Sequence, residues 1–270
     1  MSEQIYTYRN HSFNLDQAAD YTLLIQIGTA SFSYAIIGNK QLLAWDTGCS
    51  LNELTNPKEL FQELSATYKK IVVGLPANGF TLLPNKLFNK DNLPEYARLL
   101  DVKPDEKVLA QQLDDENMII YKADEQLAAA AQKFGWNNTV YLYKGWITAI
   151  AQNNPLATEL YIHTEKDHAY FLNFKDGKLR FYNYFEFKNA DDLVYYTSLV
   201  TNELGLDTQT ARLKLSGGIN WEDQHRSRLA DFYKEVSFNY LLILDLPGEI
   251  SSQQLLTLAA LSLCGSSEVV

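Results

Sequence analysis

The sequence predicts an α/β protein of two similar lobes, each a mixed sheet with flanking helices. Three observations lead to this prediction. The order strand-strand-strand-helix-strand occurs twice, from near Tyr21 and again from near Leu156. Each time, an antiparallel meander is followed by a helix that crosses over to a parallel strand. A turn-forming run at residues 153–155 separates the two, so we expect lobes over residues 1–153 and 154–270 with a ligand cleft between them.

The first lobe opens with a predicted β-hairpin over residues 21–37. Residues 23–27 are apolar on both faces apart from Gln26, as a central buried strand would be. The strand that follows alternates apolar and polar residues, which is typical of a strand with one buried face. Gly28 and its small neighbours allow the tight reversal between the two strands, because glycine accepts backbone angles that other residues avoid. We also expect a third strand at residues 41–46.

Helices and short strands complete the first lobe. Asn56 and Pro57 supply a cap and a first-turn proline, which predict a helix to about residue 68. Gly135 is expected to end a helix that contains four consecutive alanines. Further strands are predicted at residues 5–8, 71–76, 80–83, 108–113, 118–122 and 139–143, and further helices within 84–100 and at 124–134 and 146–152.

The second lobe repeats the meander and the crossover helix. Asn189 is expected to cap its main helix, residues 190–204. Phe181, Phe185 and Phe187 alternate at strand spacing, which favours packing in a core over a stacking platform for bases. The remaining elements are predicted as strands at residues 156–163, 168–173, 178–187, 212–215 and 236–246, and helices at 221–233 and 252–263.

Composition and charge narrow the classes of function. At 270 residues, with 46% hydrophobic and 21% charged residues, the chain is long enough for one large domain or two lobes. A formal net charge of -10 argues against broad contact with a nucleic-acid backbone or an anionic membrane surface. Two isolated cysteines, Cys49 and Cys264, fit a reducing compartment. With a polar N-terminus and no long apolar run, we predict a cytoplasmic protein without a nucleic-acid or membrane partner.

Three stretches resemble an uncharacterised bacterial family with an actin-like fold, domain-of-unknown-function family 3822. They are VVGLPANGFTLLPNKLF at residues 72–88, FKNADDLVYY at 187–196 and LKLSGGI at 213–219. The paired lobe pattern is similar to the wider actin-like ATPase superfamily, which includes actin, sugar kinases and DnaK-type chaperones on a ribonuclease H-like core. The resemblance implies two lobes with a nucleotide, ATP with Mg²⁺, held in the cleft between them.

The phosphate motifs of that superfamily can be compared with these residues. Its first phosphate loop is a β-hairpin that opens with an aspartate, followed by glycine and a small hydroxyl residue. The acid helps to hold hydrated Mg²⁺, and the glycine lets backbone N–H groups approach phosphate oxygens. Gly28, Thr29 and Ser31 match this pattern, whereas the position of the aspartate holds the uncharged Gln26.

The other two motifs lie in the second lobe. A second phosphate loop should repeat the first, but the turn at residues 163–168 has no glycine and carries acids that would repel phosphate. The adenosine motif, a strand followed by two glycines, is matched at residues 215–218. If nucleotide binding is retained, the resemblance implies that it involves Gly28, Thr29, Ser31, Ser216, Gly217 and Gly218.

One intact motif of three predicts a non-catalytic member of the superfamily, a pseudo-ATPase kept as a binding or regulatory scaffold. Such a protein needs no catalytic residue and no metal site, and its ligand would be a protein partner. The alternative is a nucleotide-binding ATPase or kinase whose metal is held by other acids, for example Asp46 or Asp245.

A metal site in the second lobe is a further alternative. His163 and His168 flank a short turn, so they could be cross-strand partners on one face of a hairpin. Together with Glu165 or Asp167 they could hold a metal ion, although the spacing is not a recognised ligand pattern. The competing interpretation is a solvated hairpin tip.

Overall fold

The computed structural model describes residues 6–265. Their contacts divide them into two compact units. The N-terminal unit comprises residues 6–148, 244–247 and 257–265, and the C-terminal unit comprises residues 149–243 and 248–256. The predicted lobe limits, 1–153 and 154–270, stay a prediction. Within the described residues, no helix combines the length and the apolar character needed to span a membrane.

The strands and helices follow one another in a mixed order. The strands are β1 (Thr7–Arg9), β2 (Thr22–Ile27), β3 (Ser31–Gly38), β4 (Gln41–Ser50), β5 (Lys70–Leu75), β6 (Gly79–Pro84), β7 (Glu106–Gln112), β8 (Asn117–Asp124), β9 (Thr139–Tyr141), β10 (Glu159–Glu165), β11 (His168–Lys175), β12 (Lys178–Glu186), β13 (Arg212–Gly217) and β14 (Glu235–Phe238). The α-helices are α1 (Leu51–Thr55), α2 (Phe61–Ser65), α3 (Leu93–Ala97), α4 (Glu125–Gln132), α5 (Lys144–Ala151), α6 (Ala190–Glu203), α7 (Gln224–Ala230) and α8 (Ser252–Ala260). Short 3₁₀ helices cover Leu15–Asp20, Asn85–Leu87, Lys90–Asn92, Trp136–Asn138 and Leu261–Leu263.

Each unit contains a mixed sheet, and the two sheets have the same strand order. The N-terminal sheet runs β1-β4-β3-β2-β5-β9, and the C-terminal sheet runs β12-β11-β10-β13-β14. In both, three strands form an antiparallel meander and two further strands lie parallel to its first strand. The predicted duplication of strand-strand-strand-helix-strand is therefore present, and β1 is an addition to the first copy.

A third sheet, with the order β6-β8-β7, is inserted in the N-terminal unit between β5 and α4. Short helices cover one of its faces, where Leu100, Ala110 and Ile120 form a small core. The fully buried amide of Gln111 joins this sheet to the main one. Its oxygen accepts the backbone N–H of Tyr141 at 2.9 Å and its nitrogen donates to the carbonyl of Thr139 at 3.3 Å. Gln111 thus satisfies backbone groups on the outer edge of β9.

The core of the C-terminal unit is formed by one face of its sheet and by α6 and α7. Phe187 is buried in this core, and Phe181 and Phe185 pack against it. The ring of Phe185 stacks on Tyr196 of α6 with centroids 4.6 Å apart. Asn189 caps α6 as predicted, because its side chain accepts the backbone N–H of Asp192. The prediction that the phenylalanine stripe packs in the core is confirmed.

The predicted helix from Pro57 to about residue 68 is wrong. The chain forms two short helices instead, and α1 ends at Thr55 with Asn56 as its C-cap. The first begins earlier because the hydroxyl of Ser50 caps it. The carboxylate of Glu53 then accepts the backbone N–H groups of Lys58 and Leu60, at 2.7 and 3.1 Å, and this organises the connection as a loop.

Other predicted elements differ in their limits, and three of them illustrate how. The predicted edge strand at residues 5–8 is found as β1, and Ile5 lies outside the described residues. The helix predicted over 221–233 is only α7, because Asp223 accepts the backbone N–H of His225 and so starts the helix later. The strand predicted over 236–246 ends at Phe238, after which the chain is irregular.

Candidate functional site

The turn between β2 and β3 is the predicted first phosphate loop, and it brings Gly28, Thr29 and Ser31 together. The backbone N–H of Gly28 donates to the carbonyl of Ser31 at 2.9 Å. A Cβ on Gly28 would lie 2.9 Å from that same oxygen, so a side chain here would force the turn to shift. Glycine is therefore required by close approach. The expectation that it serves a special backbone angle is not met, because its φ lies outside the left-handed range.

Gln26 lies at the end of β2, at the position where the superfamily pattern has an aspartate. It pairs with Ser33 on one neighbouring strand and with Gly74 on the other. Its side-chain oxygen accepts a hydrogen bond from the hydroxyl of Thr257, with 3.0 Å between the oxygens. Thr257 is buried and belongs to the part of α8 that lies in the N-terminal unit. The amide of Gln26 is thus held inside its own unit by a partner 231 residues away in the sequence.

Asp46, the first alternative metal-holding acid, is only 8% exposed and is already paired. The guanidinium of Arg9 donates to both of its carboxylate oxygens, at 2.9 and 2.6 Å. The hydroxyl of Tyr34 donates to the second oxygen at 2.5 Å and accepts from Arg9 at 2.8 Å. Burial, followed by the hydrogen bond to Asp46, raises the pKa of this hydroxyl, so Tyr34 remains a donor at neutral pH. A bidentate ion pair of this kind compensates the charge that a metal ion would require.

Asp245, the second alternative acid, lies far from the predicted phosphate loop. Its backbone N–H donates to the carbonyl of Lys40, and its carbonyl accepts the N–H of Leu42. These contacts place it beside the β3–β4 turn, whereas Gly28 is at the other end of β3. The eight residues of β3 span roughly 25 Å at about 3.3 Å per residue. Asp245 and Gly28 are therefore not brought together.

In the C-terminal unit, the predicted adenosine motif lies at the end of β13, where Ser216, Gly217 and Gly218 run beside β10. Gly217 has φ +89°, and a Cβ there would lie 2.1 Å from the carbonyl oxygen of Thr164. That oxygen accepts the backbone N–H of Gly218 at 2.9 Å. Gly218 itself is exposed, and a Cβ on it would meet nothing closer than 3.8 Å. Gly217 is needed for close strand packing, whereas Gly218 leaves room for a Cβ at ordinary contact distance.

The β10–β11 turn is the segment compared above with the second phosphate loop of the superfamily. It is a two-residue turn, Lys166 and Asp167, with Lys166 at φ +53°. His163 pairs with Tyr170 across the strands, and His168 pairs with Glu165. The prediction that the two histidines are cross-strand partners is therefore wrong, since the strands extend further into the turn than the sequence suggested.

The two histidines have different surroundings. His163 is buried, and its Nδ1 lies 3.1 Å from the hydroxyl of Ser216. Burial lowers the pKa of His163 to about 3, so the ring is neutral at physiological pH. His168 is partly exposed, and its Nδ1 lies 2.7 Å from a carboxylate oxygen of Asp167. Within residues 6–265, no three His, Cys, Asp or Glu side chains are grouped so that they could hold a metal ion.

Sequence comparison relates the chain to one family. A family model described as "Protein of unknown function (DUF3822)" matches residues 10–236, which is most of the chain. The chain belongs to the DUF3822 family. No curated protein matches the sequence.

Several solved structures are similar in fold to this DUF3822 chain, at low sequence identity. A Bacteroides thetaiotaomicron protein with actin-like ATPase fold and unknown function is similar with a TM-score of 0.76 and 19% identity, over 93% of this chain and 99% of that one. The PilM-PilN type IV pilus biogenesis complex contains a chain that is similar with a TM-score of 0.54 and 12% identity, over 90% and 96%. Ethanolamine utilization protein EutJ from Carboxydothermus hydrogenoformans is similar with a TM-score of 0.50 and 9% identity, over 91% of this chain and 90% of that one. The predicted actin-like ATPase fold is confirmed.

Two residues that shape the candidate site were missed by sequence reasoning. Thr257 sits in an apolar helix and carries no motif, and nothing in the sequence connects it with Gln26. For Arg9, the sequence offered an indication. Asp46 follows the apolar run of β4, and a carboxylate that close to a core requires a basic partner. Which of the arginines supplies it depends on the tertiary structure.

Proposed function

We propose that this DUF3822 protein is a non-catalytic actin-like scaffold, a pseudo-ATPase that acts by binding a protein partner. The proposal depends on one observation, the uncharged and hydrogen-bonded side chain of Gln26. Its neutral amide stands where the superfamily pattern has an acid, and it is engaged by Thr257. The amide oxygen of Gln26 brings no negative charge to hydrated Mg²⁺. One lone pair of this oxygen is already used, because it accepts the hydrogen bond from the hydroxyl of Thr257.

The surroundings of the other acids support the same proposal. Asp46 is compensated by Arg9, and Asp245 lies at the far end of β3 from the glycine of the phosphate loop. The β10–β11 turn offers acids in place of glycine. Each of these features weakens the alternative of an ATPase or kinase with unusual metal ligands.

A protein partner is part of the proposal because the fold is used in this way elsewhere. The PilM-PilN type IV pilus biogenesis complex is an assembly that contains a chain of similar fold. We further propose a cytoplasmic location and a bacterial origin, in line with the charge, the two isolated cysteines and the family resemblance.

The test is titration of ATP with Mg²⁺ into the purified protein by calorimetry, with phosphate release assayed in parallel. Gly218→Val is the diagnostic variant, because Gly218 belongs to the predicted nucleotide motif and a Cβ on it would meet nothing closer than 3.8 Å. Gly248→Val is the matched control, since a Cβ at Gly248 meets nothing within 4 Å. Gly217 is unsuitable, because any side chain there collides with Thr164.

We expect no phosphate release from the wild-type protein or from either variant. Phosphate release that is lost in Gly218→Val and kept in Gly248→Val would overturn the scaffold proposal and favour the ATPase alternative. Nucleotide binding without release, again lost in Gly218→Val, would retain the non-catalytic part and identify a nucleotide-responsive scaffold.

A further inference from the structure

A cluster of exposed aromatic residues lies on the C-terminal unit, just after the Gly217-Gly218 turn. Trp221 and Tyr240 are each 55% exposed, which is unusual for side chains of this size. The indole N–H of Trp221 donates to the hydroxyl of Tyr240 at 3.2 Å. The guanidinium carbon of Arg226 lies 4.3 Å from the centroid of the Trp221 ring. We call these three residues, Trp221, Arg226 and Tyr240, the aromatic surface.

The aromatic surface rests on a fixed base. The buried ring of Phe238, in β14, meets the ring of Trp221 edge-on with centroids 4.7 Å apart, and lies 6.2 Å from that of Tyr240. Arg226 projects from α7, whose start is capped by Asp223. The exposed rings are therefore held in place before any partner arrives, which lowers the entropy lost on binding.

Arg226 is the unusual member, because its charge has no acidic partner among residues 6–265. Its Nε is shielded from solvent and has no hydrogen-bond acceptor within the part of the chain that the structure describes. Arg228, two residues further on, shows the ordinary situation and pairs with Asp191 at 2.7 Å and with Asp231 at 3.1 Å. The chain has 33 Asp and Glu residues against 23 Lys and Arg residues, yet the guanidinium of Arg226 contacts a ring and no carboxylate of the described residues. It is therefore available to pair with a carboxylate of another molecule.

We propose that the aromatic surface is a docking site for an acidic, apolar segment of a partner protein. A carboxylate of that segment pairs with the guanidinium of Arg226, and a neighbouring apolar side chain packs on Trp221 and Tyr240. Trp, Tyr and Arg are the residue types that dominate binding energy in protein interfaces. The inference rests on the proposed scaffold role and adds to it the place of docking and the chemistry of the partner.

Charge and shape favour this occupant over others. Nucleic acid is disfavoured, because its many phosphates would all face a protein with a net charge of -10, whereas a peptide brings one carboxylate that Arg226 can pair. A small inorganic anion would use Arg226 and leave both rings exposed to water. A peptide segment with an acid beside an apolar residue uses all three side chains.

The experiment uses a library of random 12-residue peptides displayed on phage, selected against the full-length protein. Peptides are counter-selected on Trp221→Ala, and enriched sequences are synthesised and measured by fluorescence anisotropy. Arg226→Gln is the second variant, because it removes the charge and leaves the exposed ring of Trp221 in place. Arg228→Gln is the matched control on the same helix, and thermal unfolding checks that every variant is folded.

We expect enriched peptides to combine Asp or Glu with aliphatic or aromatic residues. Affinity should fall by about 10-fold or more in Trp221→Ala and in Arg226→Gln, and by less than about 2-fold in Arg228→Gln. Replacing the acid of the peptide by its amide should reproduce the loss seen in Arg226→Gln.

Several results would overturn the inference. The selection could yield no peptides that prefer the wild-type protein over Trp221→Ala, or it could yield peptides without acids. Affinity could be unchanged in Arg226→Gln. Millimolar inorganic phosphate could compete with the peptides, which would indicate a small-anion site. Failure of the scaffold role is distinguishable, because it consists of phosphate release that Gly218→Val abolishes. A protein that releases phosphate and also binds the acidic peptides through Arg226 would refute that role and keep the docking site.

Discussion

The hydroxyl of Thr257 donates a 3.0 Å hydrogen bond to the side-chain oxygen of Gln26, so α8 holds the residue for which the superfamily pattern predicts an acid. The consequence is that the amide contributes to stability. Thr257→Val keeps the shape of the side chain and removes the donor. We expect a loss of about 1 kcal/mol in the free energy of unfolding, measured by urea denaturation.

Thr208→Val is the control for this substitution, because Thr208 is exposed. It should change stability by less than about 0.5 kcal/mol. Equal effects of the two substitutions would show that the Thr257–Gln26 hydrogen bond contributes nothing.

The ion pair between Arg9 and Asp46 predicts a large effect from removing the cation. In Arg9→Met, the buried carboxylate of Asp46 keeps, among the described residues, only Tyr34 as a side-chain donor. We expect unfolding free energy to fall by about 2–3 kcal/mol, because hydrogen bonds to charged groups are strong and an unpaired buried charge is costly.

The matched substitution is Arg212→Met, since Arg212 pairs with Glu235 at 3.0 Å on the surface and both side chains are about half exposed. An exposed pair contributes under about 1 kcal/mol. The account of Asp46 fails if the two substitutions are equally destabilising.

Gly217 and Gly218, neighbours at the end of β13, are expected to tolerate substitution by alanine to very different extents. Gly217→Ala places a side chain at φ +89° and 2.1 Å from the carbonyl of Thr164. This should cost about 3 kcal/mol or more. The Cβ of Gly218→Ala would meet Thr164 only at ordinary contact distances, 3.8 Å or more, and the substitution should cost less than about 1 kcal/mol. Thermal and chemical unfolding of the pair measures the contrast, and a tolerated Gly217→Ala would contradict the described strand packing.

Burial of His163 predicts a pH dependence of stability. The pKa of this residue is lowered by burial to about 3 in the folded state, against about 6.5 in an unfolded chain. Between these values the unfolded state binds a proton that the folded state does not, so acidification destabilises the fold. Between pH 6 and pH 5, this single group should contribute a loss of about 1 kcal/mol.

The comparison for that prediction is His163→Asn, which keeps a polar atom near Ser216 and cannot be protonated in this range. Its unfolding free energy should depend less steeply on pH, by about one proton, when denaturation is followed at pH 5, 5.5 and 6. Parallel pH profiles would mean that His163 is protonated in the folded protein.

Much of the architecture could be predicted from local patterns. The alternating strands, the Asn189 cap and the repeated meander depend on residues close together in the chain, so hydrophobic periodicity and capping chemistry predict them directly. The helix predicted from Pro57 failed for a related reason. Two cap signals competed, and the earlier one, Ser50, determined where helix formation begins.

The candidate site could be predicted only in part, because its residue types are local and their partners are not. Gln26 in place of an acid, and the glycines at 28, 217 and 218, were visible as motifs. That Gly28 and Gly217 are required by close approach of a carbonyl, and that Gly218 is not, depends on which strand lies alongside.

By itself, the sequence determined the α/β class, the duplication and the uncharged amide at Gln26, since these follow from side-chain periodicity and residue identity. Only the tertiary structure decided that Thr257 holds Gln26, that Arg9 neutralises Asp46, that Gln111 satisfies the edge of β9 and that Arg226 lies on Trp221 without a carboxylate. The first three of these contacts join residues 25 or more positions apart in the chain, and each of the three pairs polar groups that must find a partner wherever burial places them. Periodicity predicts which face is buried, and it carries no information on which distant side chain will be there.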